Sequence, residues 1–138
     1  MKFYEILTFL MEDKEISLKG LAEKTQISLS TLYGIMELKH LPTLKIAIEL
    51  CNYFDCSIDY ILGISDKIEK PTTYTTDKFV TNYKNLLVSR GVAHTKVCKD
   101  LNIGRSRFYD WQRGKLPYLS TIITLANYFK ISVDELIG

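Results

Sequence analysis

Residues 1–65 of this 138-residue chain contain no arginine at all. Histidine and cysteine are also scarce, at two and three residues, and no CxxC spacing occurs. Zinc and disulfide frameworks need such residues in sets, so neither a metal site nor a cystine scaffold has the material to form. Glycine (seven) and proline (three) are too few for a low-complexity or collagen-like chain. Long hydrophobic runs are missing too. Phe3 to Met11 is short, is broken by Glu5 and lacks a small-residue cleavage site, which excludes a spanning segment or a secretory leader. These absences leave a soluble, cytoplasmic globular protein without cofactors.

What the chain does have is a duplication. Leu41-Pro42-Thr43-Leu44 through Asn52-Tyr53-Phe54 to Gly63 returns 75 positions later, as Leu116-Pro117-Tyr118-Leu119 through Asn127-Tyr128-Phe129 to Gly138. Upstream the offset is 76, pairing Leu21-Ala22 with Val97-Cys98, Ile27 with Ile103, and Leu32-Tyr33 with Phe108-Tyr109. One extra residue near His40 absorbs the change. What two copies share reports on fold, and what they do not share reports on use. The cysteines fit this test: Cys51, Cys98 and Cys56 face Ala126, Ala22 and Ile131 in the other copy, so each reads as a buried, reduced thiol.

Each copy reads as five short helices with no period-2 strand pattern, an all-α chain. Phe3, Ile6, Leu7, Leu10 and Met11 follow i, i+3, i+4 spacing. Ser17, Ser28, Thr43 and Ser57 stand where N-caps of the next four helices belong, and Gly63 closes the last. In the second copy Ser132 with Glu135 suits a capping box, whereas Ala93 and Tyr118 replace two caps. The expected organisation is a domain over 1–64, a polar linker over 65–76 and a second domain over 77–138. Domains of that size bury only about 60% of their unfolded surface, so pairing with another domain or a second copy adds stability. Fully extended, the 12-residue linker reaches about 40 Å, enough for half-sites ~34–36 Å apart on one duplex.

Two segments carry the functional signal. In each, a short helix with a small residue (Ala22 or Cys98) meets a turn holding Ile27 or Ile103. A second helix follows with apolar residues three apart, Leu32 and Ile35 or Phe108 and Trp111. The small residue permits a close helix crossing, and the apolar pair pins the second helix with its other face outward, as entry into a major groove requires. With these residues the chain resembles the helix-turn-helix family of phage repressors and Cro-like regulators, twice over. The stretch Ser106-Arg107-Phe108-Tyr109-Asp110-Trp111-Gln112-Arg113-Gly114-Lys115 resembles that family's recognition helix and loop most closely. The family's usual turn glycine is replaced by Gln26 and Asn102, of which Asn tolerates the left-handed backbone better.

The copies differ in charge. Residues 1–65 hold six lysines and nine acids, a net of −3; residues 77–138 hold six lysines, four arginines and five acids, a net of +5. Phosphate attraction dominates nucleic-acid affinity, so the second copy is the better candidate for double-stranded DNA. The resemblance implies that Arg105, Ser106, Tyr109 and Asp110 face bases, where Arg suits guanine and Asp suits cytosine. It also implies that His94, Thr95, Arg107, Arg113 and Lys115 meet phosphates. On the first copy the matching face carries Leu18, Lys19, Leu29, Ser30, Thr31, Tyr33 and Lys39, with Glu37 opposite Arg113. That face suits either a weaker, differently specific DNA reader or a protein contact, a homodimer included.

Two function classes follow: a sequence-specific DNA-binding regulator, a repressor, or a protein-binding adaptor built on the same scaffold. An enzyme has little to stand on, with no nucleophile beside a base, no carboxylate pair and no glycine-rich phosphate loop.

Overall fold

The computed structural model describes residues 1–70 and 73–138. They form two compact units, Met1–Tyr74 and Thr75–Gly138. Among the described residues all regular structure is helical. Unit 1 contains α1 (Phe3–Asp13), α2 (Leu18–Thr25), α3 (Leu29–Met36), α4 (Leu44–Phe54) and α5 (Ile58–Ile61). Unit 2 contains α6 (Phe79–Arg90), α7 (His94–Leu101), α8 (Arg107–Gln112), α9 (Leu119–Phe129) and α10 (Val133–Ile137). No helix among the described residues is long and apolar enough to cross a membrane.

Local chemistry explains the helix starts in unit 1. The hydroxyls of Ser17, Ser28, Thr43 and Ser57 accept from the backbone N–H of Gly20, Thr31, Ile46 and Tyr60 at 3.0–3.3 Å. Each satisfies one of the N–H groups a helix leaves without a partner. In unit 2 Ser132 caps α10 through Glu135 N at 3.0 Å, whereas Ala93 and Tyr118 supply no side-chain cap. Both turn residues that replace glycine go left-handed, Gln26 at φ 62° and Asn102 at φ 55°.

The two cores are built differently. In unit 1 Leu7, Leu21, Leu32, Leu50, Cys51, Ile58 and Ile61 are all fully buried. Each leucine and isoleucine among them contributes about 1.5–3 kcal/mol. Unit 2 centres on rings: Tyr83 is fully enclosed and lies 5.5 Å from both Phe108 and Trp111, edge to face, while Phe79 meets Trp111 at 5.4 Å. Such pairs add about 0.5–1.5 kcal/mol to the area they bury. Cys51, Cys56 and Cys98 are buried and outside any disulfide.

The segment expected as a tether over 65–76 is different in the structure. Ser57 N donates to Ile68 O at 2.7 Å and Ser57 Oγ to Lys67 O at 2.8 Å. Lys70 reaches Asp55 at 3.2 Å. Tyr74 is 2% exposed, its backbone is held through both polar atoms of Asn52, and its hydroxyl accepts from Ile58 N at 3.0 Å. Most of the supposed linker is thus a strap bound to the ends of α4 and α5. The carbonyls of Lys67 and Ile68, the Lys70 ammonium and Tyr74 find partners there. Asp66, Glu69 and Thr73 remain exposed, but the 12 residues are not a free tether of about 40 Å. Pro71 and Thr72, which the linker reading also included, lie outside the described residues.

Candidate nucleic-acid interface

The candidate site of unit 2 begins where α7 ends. Asn102 turns the chain left-handed, and Ile103 N returns a hydrogen bond to Cys98 O at 3.0 Å. The next helix starts later than expected. By the repeat, Gly104 stands where Ser28 caps α3, and it has no side-chain oxygen to offer. Gly104, Arg105, Ser106 and Arg107 therefore form a turn closed by Arg107 N to Gly104 O at 3.0 Å, and α8 begins only at Arg107. Arg105 and Ser106, expected on the helix, sit in this preceding turn. Both are exposed.

The remaining candidates surround that turn. Arg105 shares an open groove of about 540 Å³ with Thr95, Lys96 and Lys99. Arg107 lines a neighbouring cleft of about 310 Å³ with Asp110, Lys115 and Tyr118. Tyr109 is 62% exposed, and the Arg113 guanidinium lies over its ring at 5.2 Å. Cation and ring thereby present one amphipathic surface. Lys96 is tied to Asp100 at 3.1 Å. Asp100 also accepts from Tyr128 Oη at 2.7 Å. That hydrogen bond, followed by the one from Lys96, holds its carboxyl below the usual range.

His94 does not occupy the position expected of a phosphate ligand. Nδ1 lies 2.7 Å from Tyr83 Oη, Nε2 lies 3.2 Å from Arg105 O, and the ring packs on Phe108 at 4.8 Å. Both nitrogens are engaged within the protein, because the aromatic core beneath the turn draws the imidazole inward. Beside it, burial raises the Cys98 thiol above its usual range, and the charge of Arg105 partly offsets this. Sequence reasoning missed Tyr83 here; the only signal was that Leu7 holds the same place in the first copy.

On unit 1, α3 is fully formed and carries Ser30, Thr31 and Tyr33 exposed, with Leu18 and Leu29 half-buried and Lys19 exposed. Lys39 takes a left-handed φ of 58° in the loop that Gly114 (φ 93°) turns in unit 2, and its ammonium sits over the Tyr4 ring at 5.2 Å. Leu38 and Leu41 are 66% and 46% exposed. Among the described residues no three His, Cys, Asp or Glu side chains converge as a metal set would.

No curated protein and no solved structure matches the chain. Residues 9–61 match the protein-family model described as Helix-turn-helix, a span that holds α2 and α3 and falls in the first copy rather than the second. Over that span unit 1 is similar to a helix-turn-helix domain.

Proposed function

We propose that this chain is a sequence-specific DNA-binding transcriptional regulator, a repressor that occupies promoter DNA, and that it reads the major groove mainly with unit 2. The observation that carries this reading is the exposed basic rim of the α7–turn–α8 segment, in a unit that repeats the order of a recognised helix-turn-helix domain. There Arg105 and Ser106 in the turn, with Tyr109 and Asp110 on α8, are offered to bases. Thr95, Arg107, Arg113 and Lys115 are offered to phosphates. The net charge of +5 over residues 77–138 supplies the long-range attraction.

The test is selection from random duplexes on the full chain, followed by titration of the selected site. Wild type binds it with a steep inverse dependence on salt. Arg105→Ala with Arg107→Ala loses affinity by about a hundredfold, as the removal of one base contact and one phosphate contact requires. Unchanged affinity in that variant sinks the assignment.

A second reading concerns unit 1, where Tyr33, Leu38 and Leu41 stand exposed beside Glu37 on an acidic domain. This apolar face suits a protein contact, a second copy included, better than it suits phosphate. Tyr33→Asp with Leu38→Asp converts an oligomer to monomer in analytical ultracentrifugation while unit 2 keeps its DNA affinity. An unaltered sedimentation coefficient rejects the contact.

A further inference from the structure

We infer that His94 is a latch that sets the DNA-reading turn of unit 2, a positioning residue rather than a phosphate contact; this rests on the DNA-binding reading above. Nε2 lies 3.2 Å from Arg105 O, which can only accept, and 3.1 Å from Cys98 Sγ, which can share the same proton as a weak acceptor. The bond to Arg105 therefore assigns the proton to Nε2. Nδ1 is then the acceptor for Tyr83 Oη at 2.7 Å. Tyr83 is fully enclosed and cannot move aside. The ring also packs against Phe108 at 4.8 Å, tilted, and Trp111 at 6.0 Å, nearly perpendicular. A rigid core thus reaches through one imidazole to the backbone of the residue offered to bases.

The duplication supplies the contrast. Unit 1 places Leu7, Leu18, Ala22, Leu32 and Ile35 where unit 2 has Tyr83, His94, Cys98, Phe108 and Trp111. None of the five can make such a link. Unit 1 does not need one, because Ser28 caps its reading helix through Thr31 N at 3.1 Å. Unit 2 has Gly104 at that point and a histidine bond in its place. The cap lost and the latch gained act on the same turn.

The experiment uses the full chain with His94→Leu, which copies Leu18, and His94→Gln, whose amide N–H reaches toward the same carbonyl. Each is titrated with the site selected by wild type and with an unrelated duplex, and backbone amide exchange at Ser106 and Arg107 is followed without DNA. His94→Leu lowers affinity for the selected site about tenfold, the scale of one misplaced base contact. It leaves the unrelated duplex and the salt slope as in wild type, and it speeds exchange in the turn; His94→Gln recovers most of the loss. Parallel losses on both duplexes with a shallower salt slope make His94 a phosphate contact and overturn the latch. Unchanged discrimination and exchange overturn it equally. Should His94→Leu unfold unit 2, Tyr83→Phe, which removes only the anchor of the ring, carries the same comparison. If wild type selects no sequence, the DNA reading fails, while amide exchange still decides the latch.

Discussion

One oxygen atom distinguishes the starts of α3 and α8. Ser28 Oγ accepts from Thr31 N and lies 2.7 Å from Thr31 Oγ1, and α3 runs through eight residues. Gly104 has no such atom, and α8 runs through six. A Cβ at Gly104 meets only Arg107 Cγ at 3.9 Å, and its φ lies outside the left-handed region, so a side chain fits there. Gly104→Ser is therefore expected to stabilise unit 2 by about 0.5 kcal/mol, from the new cap and a less flexible unfolded chain. Chemical denaturation of the variant beside wild type measures this, and a lowered midpoint refutes it. At this scale the sequence was legible for Ser17, Ser28, Thr43 and Ser57, because capping depends on near neighbours. The retreat of α8 was legible in principle from Gly104. His94 was not, since its inward turn depends on Tyr83, 11 positions away, and on rings that only the fold brings together.

At the scale of elements, the strap over the ends of α4 and α5 is the feature least visible beforehand. Its sequence is polar with a β-branched cluster and no helical period, which is also how a tether reads. The difference lies in one side chain, Tyr74, and in its receptors Asn52 and Ile58, 22 and 16 residues upstream. Removing the Tyr74 hydroxyl leaves the N–H of fully buried Ile58 without that acceptor. An unsatisfied buried donor costs about 1–3 kcal/mol. Tyr74→Phe is accordingly expected to lower the stability of unit 1 by that amount while leaving unit 2 as it was. Calorimetry of the full chain reads this as a shift of one transition, and no shift shows that the hydrogen bond is replaced by water. The helices other than α8 were legible, since their apolar spacing is written locally and twice.

For the whole molecule, a total charge of +2 conceals units of opposite sign, and two kinds of core accompany the two surfaces. The ring-based core is expected to make unit 2 sensitive to alkali. Burial, with smaller contributions from Cys98 and Tyr128, holds the Tyr83 hydroxyl protonated well above the usual phenol range. The folded protein keeps this proton more tightly than the unfolded chain does. Its contribution to stability is therefore complete below about pH 10 and is lost as pH rises from there toward the raised folded value. Urea midpoints of unit 2 are expected to fall across that interval in wild type and to fall less steeply in Tyr83→Phe. Equal slopes in the two proteins exclude Tyr83 as the cause.

The strap also alters what counts as half of this duplicated chain. By sequence the first copy ends at Gly63, in register with Gly138. By structure its last buried side chain is Tyr74. A fragment cut at the seam of the repeat would discard the phenol that seals Ile58, whereas one cut after Tyr74 would keep it. The two halves have consequently ceased to be interchangeable parts: the first carries its own clasp, so exchanging one copy for the other changes how a domain is closed as well as which surface it shows.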